Sequence, residues 1–232
     1  MLNTIKSYAK INLFLNVVDK LDTGFHELNS VLSRIDLYDE IRIKDESSFS
    51  ISYNGPFGDQ VGSNDHVSKL FNYLIDKNYL KQKSFAIHVV KNIPVGSGLG
   101  GGSSNVAEII KYLIRSNLLD NSSSPEIARD LGSDIEFFID EGSALISGKG
   151  NVDQRLKINS DKHFLIVFPN VQNSTKEIFN KHSNLSGEKF SYNKDTNLDG
   201  ILKNTSNELE KTALLANQEM KKIRVYLNND IN

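Results

Sequence analysis

The chain has 232 residues, of which 38% are hydrophobic, and this length can form one large domain or two small ones with buried cores. Its 27 basic and 29 acidic residues nearly balance, which excludes the broad phosphate-backbone binding of basic nucleic-acid proteins. It contains no cysteine, no signal-peptide pattern and no membrane-spanning apolar run, so we expect a cytoplasmic protein without disulfides or cysteine metal sites.

The first predicted elements are strands. IKSYAKINLFLNVV, near the N-terminus, has the pattern of a mostly buried strand, and Gly24 marks the turn that follows it. SVLSRIDLYDEIRIK and SFSISYN read as a second strand pair linked by the charged DESS turn. A sheet is therefore expected in the first quarter of the chain.

A helix, a strand and a second helix follow. A cap signal at Ser63 and Asn64 precedes apolar residues at helical spacing, which predicts an amphipathic helix near residues 64–80. SFAIHVVKNIP reads as a strand, and apolar residues recur with helical spacing from Val106 to Ile114. The glycine-rich segment between the last two elements is therefore predicted to connect a strand to a helix.

The last third of the chain mixes clear and weak patterns. PEIARDL predicts a short helix, GSDIEFFIDEGSALISGKGN a glycine turn followed by strand, KHFLIVFPN an apolar strand and STKEIFNKHS the start of a helix. Residues 183–204 are polar and read as a loop or loosely held helix. SNELEKTALLANQEMKKIRVYL predicts one helix that buries Leu209, Leu214, Leu215, Met220 and Ile223. A compositional break near 155–165 divides the chain into predicted domains 1–158 and 159–232.

The segment from Asn92 to Asn105, NIPVGSGLGGGSSN, is the feature most informative about function. A glycine-rich loop lets consecutive backbone N–H groups point inward, and the following helix adds its unpaired N–H groups and positive dipole end. Such a loop binds phosphate; the alternative is a flexible turn whose serines only cap the helix. The Walker pattern is excluded because no lysine follows the glycines, and GSGLGG as G-x-G-x-x-G is a weak signal alone.

This segment resembles the second motif of the GHMP kinases, P-x-x-x-G-L-G-S/G-S-S/G, and other segments agree with it in the same order along the chain. AKINLFLNV, GFHEL, IDLYDEI, LGSDIEFF and NELE are each similar to a family segment, and GLGGGSSN with GFHEL is typical of the cytidine-nucleotide branch. The resemblance implies an α+β GHMP kinase fold, with an N-terminal domain like the second domain of ribosomal protein S5 and a shortened ferredoxin-like C-terminal domain.

The same resemblance implies the chemistry. Family members transfer a phosphoryl group from ATP, with Mg²⁺, to a small alcohol, here a cytidine diphosphate-linked methylerythritol of the non-mevalonate isoprenoid pathway. Asp134 resembles the general base that accepts the proton of the 2-hydroxyl, and Lys10 resembles the lysine that stabilises the developing charge. Read without the family, Lys10 is a strand-edge cation and Asp134 a turn cap. We expect a monomer or weak dimer with no nucleic-acid or membrane partner.

The resemblance also implies the binding residues. Ser104 is the candidate Mg²⁺ ligand, and the cytosine is expected at Phe25 and His26, although an aromatic packed in a turn is the alternative for Phe25. Asn12 and Thr175 match positions near the substrate hydroxyls. The candidate ATP-binding residues are Asn64, Asp65, Lys91, Pro94, Val95, Gly96, Ser97, Gly98, Leu99, Gly100, Gly101, Gly102, Ser103 and Ser104.

Three departures from the family pattern keep other functions open. Phe25 stands where tyrosine is usual, Glu136 replaces a proline two residues after the aspartate, and no S-G-S-G-x-x-x-F motif occurs before Asn232. We expect the missing motif to affect catalysis more than ATP binding. The alternatives are a non-catalytic nucleotide-binding remnant, or a GHMP kinase acting on another alcohol such as homoserine or mevalonate.

Overall fold

The structure is a computed structural model that describes residues 4–22, 24–80, 84–158, 162–169, 171, 175–182, 185, 189, 198–203 and 206–230. The chain forms two compact units. The first comprises Met1–Ile11, Arg34–Val95 and Leu99–Glu141, and the second comprises Asn12–Ser33, Gly96–Gly98 and Gly142–Asn232. The predicted boundary near residue 158 divides the chain differently and stays a prediction.

Two long strands belong to both units. Strand β1 is Ile5–Lys20, as predicted, and β2 is His26–Glu46. In the first unit, β2 pairs antiparallel with β4 (Ser84–Val90), and β4 pairs in parallel with β3 (Ser50–Asn54). The predicted pairing of SVLSRIDLYDEIRIK with SFSISYN is therefore wrong. β4 lies between these two strands. Every second side chain of β4, namely Phe85, Ile87 and Val89, is buried in the core of this unit.

Among the described residues, four α-helices belong to the first unit: α1 (His66–Asp76), α2 (Gly101–Arg115), α3 (Ser124–Leu131) and α4 (Ser133–Ile139). Helix α2 packs against α1 and α4. Its apolar face is fully buried at Val106, Ile109, Ile110 and Leu113. The apolar periodicity of α2 thus positions the helix whose first turn follows the glycine loop.

Two predictions in this unit were wrong in detail. The N-cap of α1 is Asp65 rather than Ser63 or Asn64, because the Asp65 carboxylate accepts from the backbone N–H groups of Val67 and Ser68. DIEFFI was read as strand material but forms α4, which buries Ile135, Phe137 and Phe138 against its helical neighbours. In so short an apolar run, periodicity did not separate strand from helix.

In the second unit, Leu28–Leu32 of β2 pairs antiparallel with β5 (Ser143–Gly148), which pairs antiparallel with β6 (Asn151–Leu156). The helices are α5 (Thr175–Lys181), α6 (Leu198–Lys203), α7 (Leu209–Ala216) and α8 (Gln218–Asp230). The mixture of sheet and helices confirms the predicted α+β class. Residues 183–204 were predicted as a loop or a loosely held helix, and Leu198–Lys203 form α6. Residues 183, 184, 186–188, 190–197 and 204 lie outside the described part of the chain.

Two predictions in the second unit were wrong. KHFLIVFPN was read as a strand, yet its described residues form no strand, and Leu165 is 82% exposed. The predicted C-terminal helix is two helices. Asn217 has an extended conformation, and its side-chain oxygen accepts from the backbone N–H groups of Glu219 and Met220, so it ends α7 and caps α8. None of the five apolar residues assigned to the core of that helix is buried. No helix among the described residues has both the length and the apolar character needed to cross a membrane.

Candidate active site

The glycine loop joins β4 to α2, which confirms the predicted strand–loop–helix order. Pro94, Val95, Gly96, Ser97, Gly98, Leu99 and Gly100 lie in the loop, and Gly101, Gly102, Ser103 and Ser104 form the first turn of α2. Gly96, Gly98 and Gly100 have φ values of 71°, 76° and 74°, a region that favours glycine. The chain therefore enters α2 through a left-handed residue, with the first N–H groups of the helix following it.

Neighbouring side chains also require glycine in this segment. A Cβ atom on Gly100 would lie 2.9 Å from the Phe138 ring and 3.2 Å from the Cγ atom of Lys10. A Cβ atom on Gly102 would lie 2.7 Å from the Nδ1 atom of His66. Gly100 is thus in direct contact with the element that carries Asp134 and with the lysine that resembles the catalytic one.

The two predicted catalytic residues lie next to each other. The Nζ atom of Lys10 is 3.6 Å from the Oδ2 atom of Asp134, and both residues belong to the first unit. The Lys10 side chain is buried, whereas that of Asp134 is 35% exposed. The backbone N–H of Lys10 donates to the carbonyl of Leu99 in the glycine loop at 2.9 Å. The partly exposed Asp134 carboxylate is thus paired with the buried Lys10 ammonium, and the backbone of Lys10 is hydrogen-bonded to the glycine loop.

Helix α4 fixes the position of Asp134. Asp134 is the second residue of this helix, and the other end of the helix is held by side chains from elsewhere in the unit. The Arg34 guanidinium donates to the carbonyls of Phe138, at 2.7 Å, and Asp140, and the Lys111 ammonium donates to that of Phe138 at 3.2 Å. Sequence reasoning missed Arg34, because its partners are backbone atoms about a hundred residues away.

The helical conformation also explains how Glu136 is accommodated two residues after Asp134. In a strand these two carboxylates would project from the same face, whereas in an α-helix they are about 200° apart around the axis. The charge that replaces the family's proline is therefore directed away from Asp134.

Asp65 and Asn64, both predicted to bind ATP, lie at the start of α1. Asn64 is exposed. Both Asp65 oxygens already accept hydrogen bonds, from Val67 and Ser68 N–H, the Ser68 hydroxyl at 2.5 Å and the Tyr53 hydroxyl at 2.5 Å. Burial alone would raise the pKa of Asp65, but these hydrogen bonds lower it overall, so the carboxylate stays ionised. Asp65 thus organises the beginning of α1.

A buried polar cluster lies beneath the glycine loop, and we call Asp39, Lys91, Asn105, Ser7 and Ser104 the subloop cluster. The Lys91 ammonium donates to Asp39, and the Ser7 hydroxyl donates to that of Ser104 at 2.8 Å. Burial lowers the pKa of Lys91, whereas its attraction to Asp39 opposes that shift. Lys91, predicted beside the nucleotide, is thus buried and paired, and sequence reasoning missed Asp39 and Ser7.

The second unit groups the residues predicted to bind the cytosine. Phe25 is 60% exposed, and the Lys149 ammonium lies 4.8 Å from the centre of its ring. The His26 imidazole stacks on Phe179, with ring centres 5.4 Å apart. Burial, helped by the charges of nearby Lys20 and His182, lowers the pKa of His26, which favours the neutral imidazole near pH 7.

The remaining substrate residues are placed as follows. The Asn12 amide donates to the Ser30 hydroxyl at 2.8 Å in the second unit. Thr175 is the first residue of α5, and its side chain lies outside the described part of the chain. Phe179 is one helical turn after Thr175 in STKEIF, and that spacing was the signal that could have found it.

The metal prediction meets a different environment from the one expected. Ser104 is buried, and its hydroxyl accepts from Ser7. Ser103 is only half-buried, and its Oγ atom lies 3.9 Å from the Cβ position of Gly132, the residue before α4. Within the described ranges, no group of three or more histidine, aspartate or glutamate side chains could hold a metal ion.

Comparisons with known proteins agree with this geometry. A family model described as the GHMP kinases N terminal domain matches residues 65–146, which include the glycine loop and Asp134. A crystal structure of a 4-(cytidine 5'-diphospho)-2C-methyl-D-erythritol kinase superposes with a TM-score of 0.72 at 23% identity, over 98% of this chain and 83% of that one. This likeness shows that the fold is shared.

Curated relatives carry the more specific match. A 4-diphosphocytidyl-2-C-methyl-D-erythritol kinase of Pelagibacter ubique is 36% identical over 229 residues, covering 97% of this chain and 81% of the relative. Two relatives of that name from Prochlorococcus marinus are 38% and 35% identical, over 78% and 98% of this chain and 59% and 72% of their own lengths. The chain therefore belongs to the 4-diphosphocytidyl-2-C-methyl-D-erythritol kinase family, within the GHMP kinases.

Proposed function

We propose that this chain transfers the γ-phosphoryl group of ATP to the 2-hydroxyl of 4-diphosphocytidyl-2-C-methyl-D-erythritol, in the non-mevalonate route to isoprenoid precursors. The observation that carries the proposal is the pair formed by Lys10 and Asp134 beside the glycine loop, in a chain of this kinase family. The geometry supports an enzyme rather than a passive nucleotide binder, since the loop alone would suffice for binding.

Asp134 and Lys10 divide the reaction between them. The carboxylate of Asp134 accepts the proton of the 2-hydroxyl as its oxygen attacks the γ-phosphorus, and the leaving group is ADP. The Lys10 ammonium, 3.6 Å away, stabilises the negative charge that develops around the attacking oxygen. Positioning and electrostatics supply most of the rate acceleration in phosphoryl transfer.

The glycine loop and the first turn of α2 bind the triphosphate. Residues 95–103 offer backbone N–H groups at the positive end of a 15-residue helix. Asn64 extends this surface at the start of α1, where Asp65 holds the backbone in place. We assign Lys91 an indirect role, because its ammonium is paired with Asp39 below the loop.

We further propose that the reaction uses Mg²⁺ bound chiefly through the phosphate oxygens of ATP, whose charge it would neutralise. Ser104 does not fit the predicted role of ligand, because its hydroxyl is buried and hydrogen-bonded to Ser7. Ser103 fits better, since it is only half-buried and its Oγ atom lies 3.9 Å from the Cβ position of Gly132, two residues before Asp134.

Residues of the second unit bind the substrate. Phe25 and Phe179 offer aromatic faces for the cytosine, and the neutral His26 imidazole can donate to or accept from the edge of the base. Replacing the usual tyrosine by Phe25 retains the ring face and loses the phenolic hydroxyl. Asn12 and Thr175 are assigned to the substrate hydroxyls.

We also propose a cytoplasmic monomer or weak dimer with domains 1–158 and 159–232.

A coupled ADP-release assay tests this function, with the cytidine substrate, homoserine and mevalonate measured side by side. We expect ADP release that depends on the cytidine substrate and on Asp134, with little turnover of the other two alcohols. Preference for homoserine or mevalonate would move the chain to another branch of the GHMP kinases. ATP binding without ADP release on any alcohol would instead support a non-catalytic remnant.

A further inference from the structure

We propose that Asp39 is a positioning residue that holds both ends of the glycine loop, and that its hydrogen bonds to Asn92, Ile93 and Asn105 set the geometry in which the loop receives the triphosphate. The inference rests on the proposed function, because ATP is the ligand assigned to the loop. Asp39 lies in IDLYDEI, a segment to which the catalytic account gives no role.

Asp39 is 0% exposed and accepts four hydrogen bonds. Its Oδ1 atom accepts from the backbone N–H groups of Asn92 and Ile93, at 2.8 and 2.9 Å. Its Oδ2 atom accepts from the Lys91 ammonium and from the Asn105 amide, the latter at 3.0 Å. These four donors match the number of acceptor positions on a carboxylate.

The four donors lie on both sides of the loop. Lys91, Asn92 and Ile93 immediately precede Pro94, where the loop begins, and Asn105 is in α2 directly after Ser104. One buried carboxylate therefore determines the distance between the end of β4 and the first turns of α2. An ionised acceptor makes hydrogen bonds about twice as strong as neutral ones, which suits this connecting role.

The connection extends from Asp39 to the loop itself. The Asn105 amide also donates to the Ser7 hydroxyl at 2.9 Å, and that hydroxyl donates to Ser104. On the other branch, the Lys91 ammonium lies 3.0 Å from where a Cβ atom of Gly101 would be. The subloop cluster thus contacts the first turn of α2 from below.

Stability alone is a poor explanation for a charged pair at this depth. Moving a carboxylate and an ammonium out of water costs several kcal/mol per ion, and apolar replacements for a buried pair are often neutral or stabilising. In contrast, the two backbone N–H groups at Asn92 and Ile93 can be fixed together only by an acceptor with two free lone pairs in this position. The role of Asp39 in holding these N–H groups can therefore be tested separately from its ion pair with Lys91.

The experiment compares four proteins: wild type, Asp39→Asn, the double variant Asp39→Asn with Lys91→Met, and Glu40→Gln. Glu40 is the matched control, because the same carboxylate-to-amide change occurs one residue along β2, at a half-buried side chain that faces Arg42 at 3.7 Å. ATP affinity is measured by calorimetry without the alcohol substrate, and thermal unfolding is measured on the same samples.

We expect Asp39→Asn to weaken ATP binding about tenfold or more, while Glu40→Gln binds like wild type. The double variant removes the uncompensated charge and regains thermal stability. Its ATP affinity stays low, because an amide offers one acceptor oxygen and an NH2 donor, and so cannot accept from Asn92, Ile93 and Asn105 together. Should Asp39→Asn fail to fold, the double variant alone decides the question.

Two results would overturn the proposal. Wild-type ATP affinity in folded Asp39→Asn would show that the loop keeps its geometry without the carboxylate. Wild-type affinity in the double variant would show that Asp39 only neutralises Lys91. Because calorimetry uses ATP alone, an error in the assigned alcohol substrate would change neither result, so the two proposals fail separately.

Discussion

The two compact units hold their candidate site residues in opposite ways. In the first unit Lys10, Lys91 and Asp39 are buried and paired, and their positions follow from hydrogen bonds within the core. In the second unit Phe25 is largely exposed, and the Lys149 ammonium lies over its ring. Buried networks fix geometry, whereas exposed aromatic faces offer binding area. We therefore expect changes in the first unit to lower turnover and changes in the second to weaken substrate binding.

Removing the proton acceptor tests the first half of this comparison with the largest expected effect. Asp134→Asn preserves the shape of the side chain at the start of α4 but cannot take the proton of the 2-hydroxyl. We expect kcat to fall by about two to four orders of magnitude, with ATP affinity nearly unchanged. Glu136→Gln, two residues along the same helix, is the control and should keep wild-type kcat. Near-normal turnover in Asp134→Asn would remove this residue from the mechanism.

Crowding the loop tests whether its contact with Lys10 and Phe138 matters. Gly100→Ala adds a methyl group 2.9 Å from the Phe138 ring, so either this ring or Lys10 must move. We expect kcat at saturating ATP to fall by about 10- to 100-fold, because misplacing a catalytic group by about 1 Å can cost that much. The measurement is steady-state kinetics at several ATP concentrations.

Gly98→Ala is the matched control for that variant. Gly98 has a φ of 76°, close to the 74° of Gly100, so both substitutions strain the backbone similarly. Among the described residues, a Cβ atom on Gly98 would meet no atom within 4 Å. Because Gly98 lies in the proposed triphosphate-binding loop, we expect its KM for ATP to rise, but its kcat at saturating ATP should fall less than that of Gly100→Ala. Equal losses of kcat in both variants would attribute the effect to backbone strain alone.

Truncating an aromatic ring tests the second unit. Phe179→Ala removes the face on which His26 stacks, and base stacking on an aromatic ring contributes about 1–3 kcal/mol. We expect the KM for the cytidine substrate to rise about tenfold while the KM for ATP and kcat change little. Tyr226→Ala, at an exposed ring in α8, is the control. A loss confined to kcat would contradict the assigned role.

The pH dependence of substrate binding gives the smallest effect. Because burial lowers the pKa of His26 from its usual 6.5, the imidazole is mainly neutral at pH 6.5 and above in the folded protein. We expect a nearly constant KM for the cytidine substrate between pH 8 and pH 6.5 and a rise of a few-fold at lower pH. His26→Asn should show a flat profile, and an unchanged rise in that variant would assign the titration to another group.

The same shift affects stability. His26 takes up a proton near pH 6.5 in the unfolded chain but only at a lower pH in the folded protein, so the free energy of unfolding decreases as the pH falls through 6.5. His66, whose pKa is also lowered by burial, contributes in the same direction. Denaturant unfolding of His26→Asn and His66→Asn at pH 7.5 and 5.5 separates the two contributions, and each variant should lose less stability between these pH values than wild type.

Sequence reasoning succeeded where a local pattern and the tertiary environment agree. The glycines before α2 predicted a strand–loop–helix connection, and the apolar periodicity of that helix is buried as expected. It failed where a distant partner decides the outcome. DIEFFI forms a helix because it packs against α2 and α3, and β4 separates two strands that are neighbours in sequence.

The candidate site divides in the same way. Lys10 and Asp134 were predicted from separate segments, and the structure brings them within 3.6 Å of each other. Asp39 and Arg34 were missed because nothing around them in sequence identifies their partners, whereas the spacing of Phe179 from Thr175 was a signal that was not used. Asn217 ends α7 and caps α8 inside a segment whose apolar spacing is continuous. An asparagine side chain can cap a helix without interrupting apolar spacing, so the sequence pattern did not reveal the break.

Identifying the phosphorylated product tests the central claim most directly. The protein is incubated with ATP, Mg²⁺ and 4-diphosphocytidyl-2-C-methyl-D-erythritol, and the products are resolved by phosphorus NMR. The account predicts one new phosphate monoester on the 2-hydroxyl, formed in equal amount with ADP, and its formation at least about a hundredfold more slowly with Asp134→Asn. ADP and inorganic phosphate without a new ester, or an ester on a different hydroxyl, would contradict it.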